Sequence, residues 1–339
     1  MKNENLIIYL IHSNKANLKN CILLTNEQKC AIICTNRKRK HQDIAKKGDN
    51  NMGNVTLSYI TKAKTFQDGH FVLEKDYSKK FRLKDGSSIE VASTVGLIRE
   101  NQQDSLAISI NDNFKLLLLA DGMGGMKEGE KASYYTVKII KDLFEYENGE
   151  YLNNITKEKL QEVLFNIVYE IKRYLGEQSG TTLVFALICK DKTYVVSIGD
   201  SRIYTIEDGV INLITYDDSV SFEQFRPFTS YERDRLRFYV HNNRITNSID
   251  KYTIPRINVS ELDNYRYDTI CLMSDGISDL LQENTIRECL VNKNSASNLI
   301  KLTKSGPIPY NEYPSSTFYD YLNLGKDNAS TIVYKKKRK

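Results

Sequence analysis

No stretch of this chain is long and apolar enough to span a bilayer. The longest apolar runs, Leu6–Ile11 and Leu116–Ala120, fall far short of the roughly 20 residues a spanning helix needs, and the mean hydropathy is -0.47. The short apolar stretch near the start has no small-residue cleavage site after it, so no secretory signal is expected and the protein is expected in the cytoplasm. Histidine is scarce: His12, His41, His70 and His241 all lie apart from the Asp-Gly and Gly-Asp strand ends at 121–122, 199–200 and 275–276, which argues against zinc hydrolases and against Ser-His-Asp catalysis. The cysteines Cys21, Cys30, Cys34, Cys189, Cys271 and Cys289 read as free thiols in a reducing compartment. Cys30 and Cys34, with His41 nearby, do not match a zinc spacing.

Several catalytic signatures are missing as well. No cysteine has arginine six positions later, so there is no Cys-x5-Arg phosphatase loop. There is no G-x-S-x-G elbow, and DGMGGMKEG lacks the Gly-Lys-Ser/Thr ending of a nucleotide phosphate loop. Charge of one sign is not in large excess: the net charge is +5, much of it in Arg37–Lys40 and Lys335–Lys339. Without interleaved aromatics these clusters read as solvated tails, and no nucleic-acid partner is expected.

The 339 residues, 40% hydrophobic and 27% charged, suit a folded protein with a sizeable core. Before about residue 88 the pattern is uneven; ILLT, CAIIC and VTLSYI could be strands, and Gly48–Asn51 reads as a loop. From Ile89 onward short β-rich runs follow one another: IEVAS, LAISI, FKLLLLA, TTLVFALI, TYVVSI, RIYTI, DTICLMS and STIVY. Helices are predicted over 130–144, 157–175 and 296–302, the second capped by Thr156 and ended by Gly176. Strands in adjacent runs without a helix after each favour an α+β layered sandwich over a βαβ array. The expected division is 1–88 as an N-terminal segment without an assigned fold, 89–335 as the catalytic domain and 336–339 as a basic tail.

Three strong strands end alike, in Asp121-Gly122, Gly199-Asp200 and Asp275-Gly276. One Asp-Gly is an ordinary turn. Three at the mouths of buried strands suggest carboxylates converging on one patch, where like charges repel unless cations or protons intervene. Oxygen ligands without histidine point to Mg²⁺ or Mn²⁺.

In order along the chain, GLIRENQQDS (96–105), ADGMGGMKEGEKAS (120–133), SGTTLV (179–184), GDSRIY (199–204), SDGISD (274–279) and DNAST (327–331) resemble the protein phosphatase 2C family in its bacterial form. The resemblance implies an αββα four-layer sandwich, two antiparallel sheets flanked by helices, with a metal centre at one edge. Residue by residue, it implies that Asp121 bridges two Mn²⁺ or Mg²⁺ ions, that the Gly122 carbonyl helps hold one, and that Asp275 and Asp327 complete the other site. Asp200 with Asp275 would hold a weaker third cation. Arg99 would grip phosphate, its alternative being a plain surface arginine, and Asp104 would act beside the metals through bound water. Thr181 and Thr182 would be structural.

The implied activity is hydrolysis of phosphoserine and phosphothreonine by a water held between two cations. It also implies a place in signal transduction, acting on phosphorylated proteins made by a serine/threonine kinase, with no membrane partner and as a monomer. Departures are Met126 and Asp218, where histidine is common, and Ser219–Asn242, a flap region that follows the pattern loosely. A phosphatase-like domain without turnover, working as a binding module, is the rival expectation; a nucleic-acid binder using the basic tails is the other.

Overall fold

The computed structural model describes residues 7–11, 21–26, 29–34, 57–67, 70–123, 128–146, 155–236, 238–239, 244–306 and 323–337. Arg37–Lys40, the Gly48–Asn51 loop and Met126 lie outside the described residues. The chain divides into two units, Met1–Met52 and Gly53–Lys339.

The first unit contains an antiparallel sheet of β1 (Ile7–Ile11), β2 (Cys21–Asn26) and β3 (Lys29–Cys34), in the order β1-β2-β3. The ILLT and CAIIC runs are therefore strands, as their β-branched content suggests.

In chain order the second unit has β4 (Leu57–Ile60), β5 (Ala63–Gln67), β6 (His70–Leu73), β7 (Tyr77–Arg82), β8 (Ser88–Thr94), β9 (Asp104–Ile110) and β10 (Lys115–Asp121). Then follow β11 (Gly180–Thr181), β12 (Leu183–Ile188), β13 (Lys192–Ile198), β14 (Arg202–Glu207), β15 (Val210–Leu213), β16 (Ile249–Asp250), β17 (Asn258–Asp263), β18 (Thr269–Met273) and β19 (Ala329–Lys335). The helices are α1 (Gly129–Tyr146), α2 (Lys157–Ile171), α3 (Val220–Phe225), α4 (Ser230–Leu236), α5 (Asp275–Ser278), α6 (Glu283–Val291) and α7 (Ser295–Ser305). Thr156 caps α2 by accepting from the Lys159 N–H at 3.2 Å. This helix ends at Ile171, ahead of the predicted Leu175, because its last turn tightens into a 3₁₀ segment, Lys172–Tyr174.

Two six-stranded antiparallel sheets, β17-β13-β12-β10-β9-β4 and β15-β14-β18-β19-β8-β7, stack face to face. Alternation along each strand sorts side chains between the two faces. Leu117, Leu119, Ile270 and Leu272 fill the space between the sheets, while Cys271 and Met273 turn to the layer that packs with Leu290 and Leu299 of α6 and α7. On the first sheet, α1 packs against β9 and β10, burying Leu116 and Leu118 from the other side. Burial on both faces explains why LLLLA shows no polar alternation. The result is the expected four-layer αββα sandwich.

The chain enters these sheets earlier than residue 88. β4 pairs with β9, and β7 pairs with β8. Both are short edge strands; β7 is largely exposed, so it carries little of the hydrophobic signal that marks a domain's start. At the other end Lys336 is no free tail. Its ammonium sits 3.5 Å from the Tyr267 ring centroid and donates to the Tyr267 carbonyl at 2.7 Å, and burial pushes its pKa down to about 8.

Candidate metal and phosphate site

The acids gather at one end of the sandwich because strand ends from both sheets meet there. Asp121 is the last residue of β10, and Asp104, the first of β9, is its register partner. Asp275 follows β18 by two residues and opens α5, Asp327 precedes β19, and Asp200 lies in the turn between β13 and β14. The acids therefore come from both sheets, Asp104 and Asp121 from the neighbouring strands β9 and β10 of one, Asp275 and Asp327 from beside the neighbouring strands β18 and β19 of the other.

Small polar side chains fix the backbone beneath them. The Asp121 N–H donates to Thr182 Oγ1 at 3.1 Å, and its carbonyl accepts from the Thr182 N–H and the Thr181 hydroxyl, each at 2.8 Å. Gly122 is pressed under the start of α1: a Cβ there would collide with the Gly129 carbonyl, so only glycine permits this approach. Ser274 donates to Asp104 Oδ2 at 2.9 Å while its oxygen accepts from the Ser330 N–H at 3.0 Å. Three further hydroxyl pairs, Ser93–Ser330, Ser105–Ser133 and Thr182–Ser201, run through the same buried seam at 2.8–2.9 Å.

The electrostatics are those of uncompensated charge. Burial raises the pKa of Asp121 well above its usual value, and Asp104, Asp275 and Asp327 add to the effect. Asp275 is raised by burial and then by Asp327, Asp200 and Asp279. Burial lifts Asp104 to about 6, against the opposing hydrogen bonds of Ser330 and Ser274. Asp200 is lifted to about 8 by burial, then by Asp217 and Asp279. Oδ1 of Asp104, Asp200 and Asp275 is buried with no hydrogen-bond partner. A buried carboxylate oxygen in this state is costly unless a proton or cation joins it.

Among the described residues no three acidic, histidine or cysteine side chains converge on one point as a finished cage would. Asp327 is turned away onto Arg99, whose Nη2 donates to its Oδ2 at 2.9 Å. Burial works against the Arg99 charge, but Asp327, with the fields of Asp275 and Asp121, raises its pKa overall. Hard oxygen donors, mutual repulsion and orphaned oxygens fit Mn²⁺ or Mg²⁺ better than a histidine-preferring metal.

Three residues matter more than the sequence suggested. Asn328 donates to the carbonyls of Val95 and Asn101, each at 3.0 Å, and accepts from the Gln103 N–H at 2.9 Å. It therefore staples the Arg99 loop to β19, although in the sequence it was only part of DNAST. Asp217 and Asp279 add charge beside Asp200; Asp217 is itself held by a buried two-pronged pairing with Arg202, at 2.7–3.0 Å. No spacing rule marks such long-range partners.

Known proteins resemble this arrangement. The profile described as Protein phosphatase 2C matches residues 99–300. The serine/threonine phosphatase stp of Listeria welshimeri is 26% identical over 208 residues, covering 60% of this chain and 82% of that protein. The crystal structure of serine/threonine phosphatase Stp1 from Staphylococcus aureus superposes with a TM-score of 0.59 at 26% identity, covering 73% of this chain and 94% of that one. The catalytic domain of the phosphatase PstP, solved in complex with 2 manganese ions, gives a TM-score of 0.53 at 26% identity, with 73% and 96% covered. Matched motifs, a shared sandwich and a family profile spanning more than half of the sequence lead to one conclusion: the chain belongs to the protein phosphatase 2C family.

Proposed function

We propose that this chain is a metal-dependent protein phosphatase that releases phosphate from phosphoserine and phosphothreonine, with Mn²⁺ or Mg²⁺ as its metal. The observation that carries the reading is the meeting of buried carboxylates with orphaned oxygens, from both sheets, beside the Arg99 guanidinium. The relatives named as serine/threonine phosphatases, and the manganese in PstP, support it.

Asp121, the Gly122 carbonyl, Asp275 and Asp327 would hold two cations, and Asp200 with Asp275 a weaker third. Such cations supply a water activated at neutral pH and neutralise phosphoryl oxygens. The chain's own groups do the rest. Arg99 offers its planar fork to two phosphoryl oxygens, exchanging its half-exposed contact with Asp327 for a charge-assisted grip on the substrate. Asp104, buried against Asp121 with one oxygen uncommitted, orients the attacking water. Asn328 keeps the Arg99 loop in register with both.

The reading extends to phosphorylated proteins made by a serine/threonine kinase, and to a signalling role in a reducing compartment. The free thiols Cys189, Cys271 and Cys289 support the latter, and no described helix is long and apolar enough to cross a membrane. The catalytic unit is taken to begin near Gly53, where the two units divide.

The test uses the metal-depleted full chain and a phosphothreonine peptide. Phosphate should appear on adding Mn²⁺ or Mg²⁺ and stop with EDTA. Peptide binding without phosphate release would favour the binding-module alternative.

A further inference from the structure

Asp218 is fully buried, and the acceptor it offers is unusually crowded. Its Oδ2 accepts from the Gly199 N–H at 3.0 Å and from Asn247 Nδ2 at 2.6 Å. Its Oδ1 accepts from Arg256 Nη2 at 2.6 Å, and Asn258 Nδ2 lies 3.4 Å from both oxygens. The backbone of the same residue is also engaged. Its N–H donates to the Gly199 carbonyl at 2.9 Å, and its carbonyl accepts from the Thr246 N–H at 2.8 Å. Gly199 is thus held by Asp218 at both its N–H and its C=O.

Two structures hang on this clamp. One is the turn that carries Asp200. Gly199 has φ +101°, and a Cβ would strike Thr182, the residue bonded to Asp121. Asp200 Oδ1 has no partner of its own, so its aim is inherited from the turn. The other is the segment that follows Asp218, where Ser219 bridges Ile245 and the Val220 N–H donates to the Arg244 carbonyl at 2.9 Å.

We infer that Asp218 is a positioning residue that aims Asp200 by gripping Gly199, and so sets the strength of the weak third cation site. The inference rests on the reading of Asp200 as a ligand of that cation. A carboxylate suits the task because it accepts from all its neighbours at once; an amide of the same shape would turn an NH₂ toward donors.

The test is calorimetric titration of the metal-depleted full chain with Mn²⁺, alongside thermal melts. Wild-type protein should show a weak binding step behind the tighter ones. Asp218→Asn should weaken the weak step by about 10- to 100-fold, as loss of a ligand's supporting contact typically does, and leave the tighter steps in place. Arg256→Ala, at a side chain that is 60% exposed, removes one clamp donor without a buried change and should weaken the same step less. A folded Asp218→Asn protein with an unchanged weak step overturns the inference. If Asp218→Asn fails to fold, an unchanged weak step in Arg256→Ala does so. Asp200→Ala separates the two levels: if it abolishes the weak step while the clamp variants do not, only the role of Asp218 fails. If the weak step survives Asp200→Ala, the reading of Asp200 fails and the inference falls with it.

Discussion

Arg99 and Asp327 form an ion pair at 2.9 Å between side chains that are 36% and 40% exposed, joining the proposed phosphate grip to a proposed cation ligand. Exposed pairs of this kind contribute roughly 0–1 kcal/mol, so either partner is released at little cost when a cation or a phosphate arrives.

Arg99→Ala should therefore raise KM for a phosphopeptide and lower kcat/KM by roughly 10- to 100-fold, the scale of one charge-assisted contact. Mn²⁺ affinity should not weaken, because Asp327 loses a competitor. Steady-state kinetics with metal titration reads both. Unchanged kinetics would return Arg99 to the plain surface arginine its sequence also allowed.

Asp121→Asn should abolish Mn²⁺-dependent hydrolysis and yet stabilise the metal-free protein by roughly 0.5–2 kcal/mol, since a residue suited to function is often unfavourable for folding. The physical cause is relief of repulsion among buried carboxylates. Melting in EDTA, beside phosphate-release assays, checks both halves; a less stable variant would mean that the carboxylates are not in conflict.

The metal-free protein should lose stability as pH rises. Asp104 and Asp200, held up to about 6 and about 8, keep their protons in the fold at pH values where an unfolded aspartate, near ~4, has lost its own. Their contribution is present in full below about pH 4 and drains away as pH climbs through those folded values. Denaturant midpoints between pH 4 and 9 should fall in EDTA, and saturating Mn²⁺ should flatten the slope. A midpoint that rises across this range in EDTA contradicts the assignment.

A chain beginning at Gly53 should hydrolyse a small phosphate ester like the full chain, whereas one beginning at Lys84 should be much less stable. The second lacks β4 and β7, and with them edge strands of both sheets. Equal melting temperatures for the two would show that these strands add nothing.

The sequence revealed what is local and lost what is relational. β10 and β18 were legible because both their faces are buried, and Asp121 and Asp275 because glycine follows each. β7 was not, since an exposed edge strand can be polar almost throughout; β4 showed as a strand in VTLSYI, but not its pairing with β9. The pairing of Arg99 with Asp327 spans 228 positions, and the clamp on Asp218 gathers donors up to 40 positions away. Asp218 drew notice only as a departure from the family pattern; its donors carry no spacing that would have announced them.

The hydroxyl seam below the carboxylates has a consequence of its own. In Ser93–Ser330 and Thr182–Ser201 either oxygen can be the donor, and a hydroxyl reverses its role by turning one O–H bond. When a carboxylate above loses or regains its proton, the seam can reorient its dipoles while every heavy atom stays in place. A change of charge at the mouth of the sandwich can thus be met by turning O–H bonds in the seam, with no loop movement.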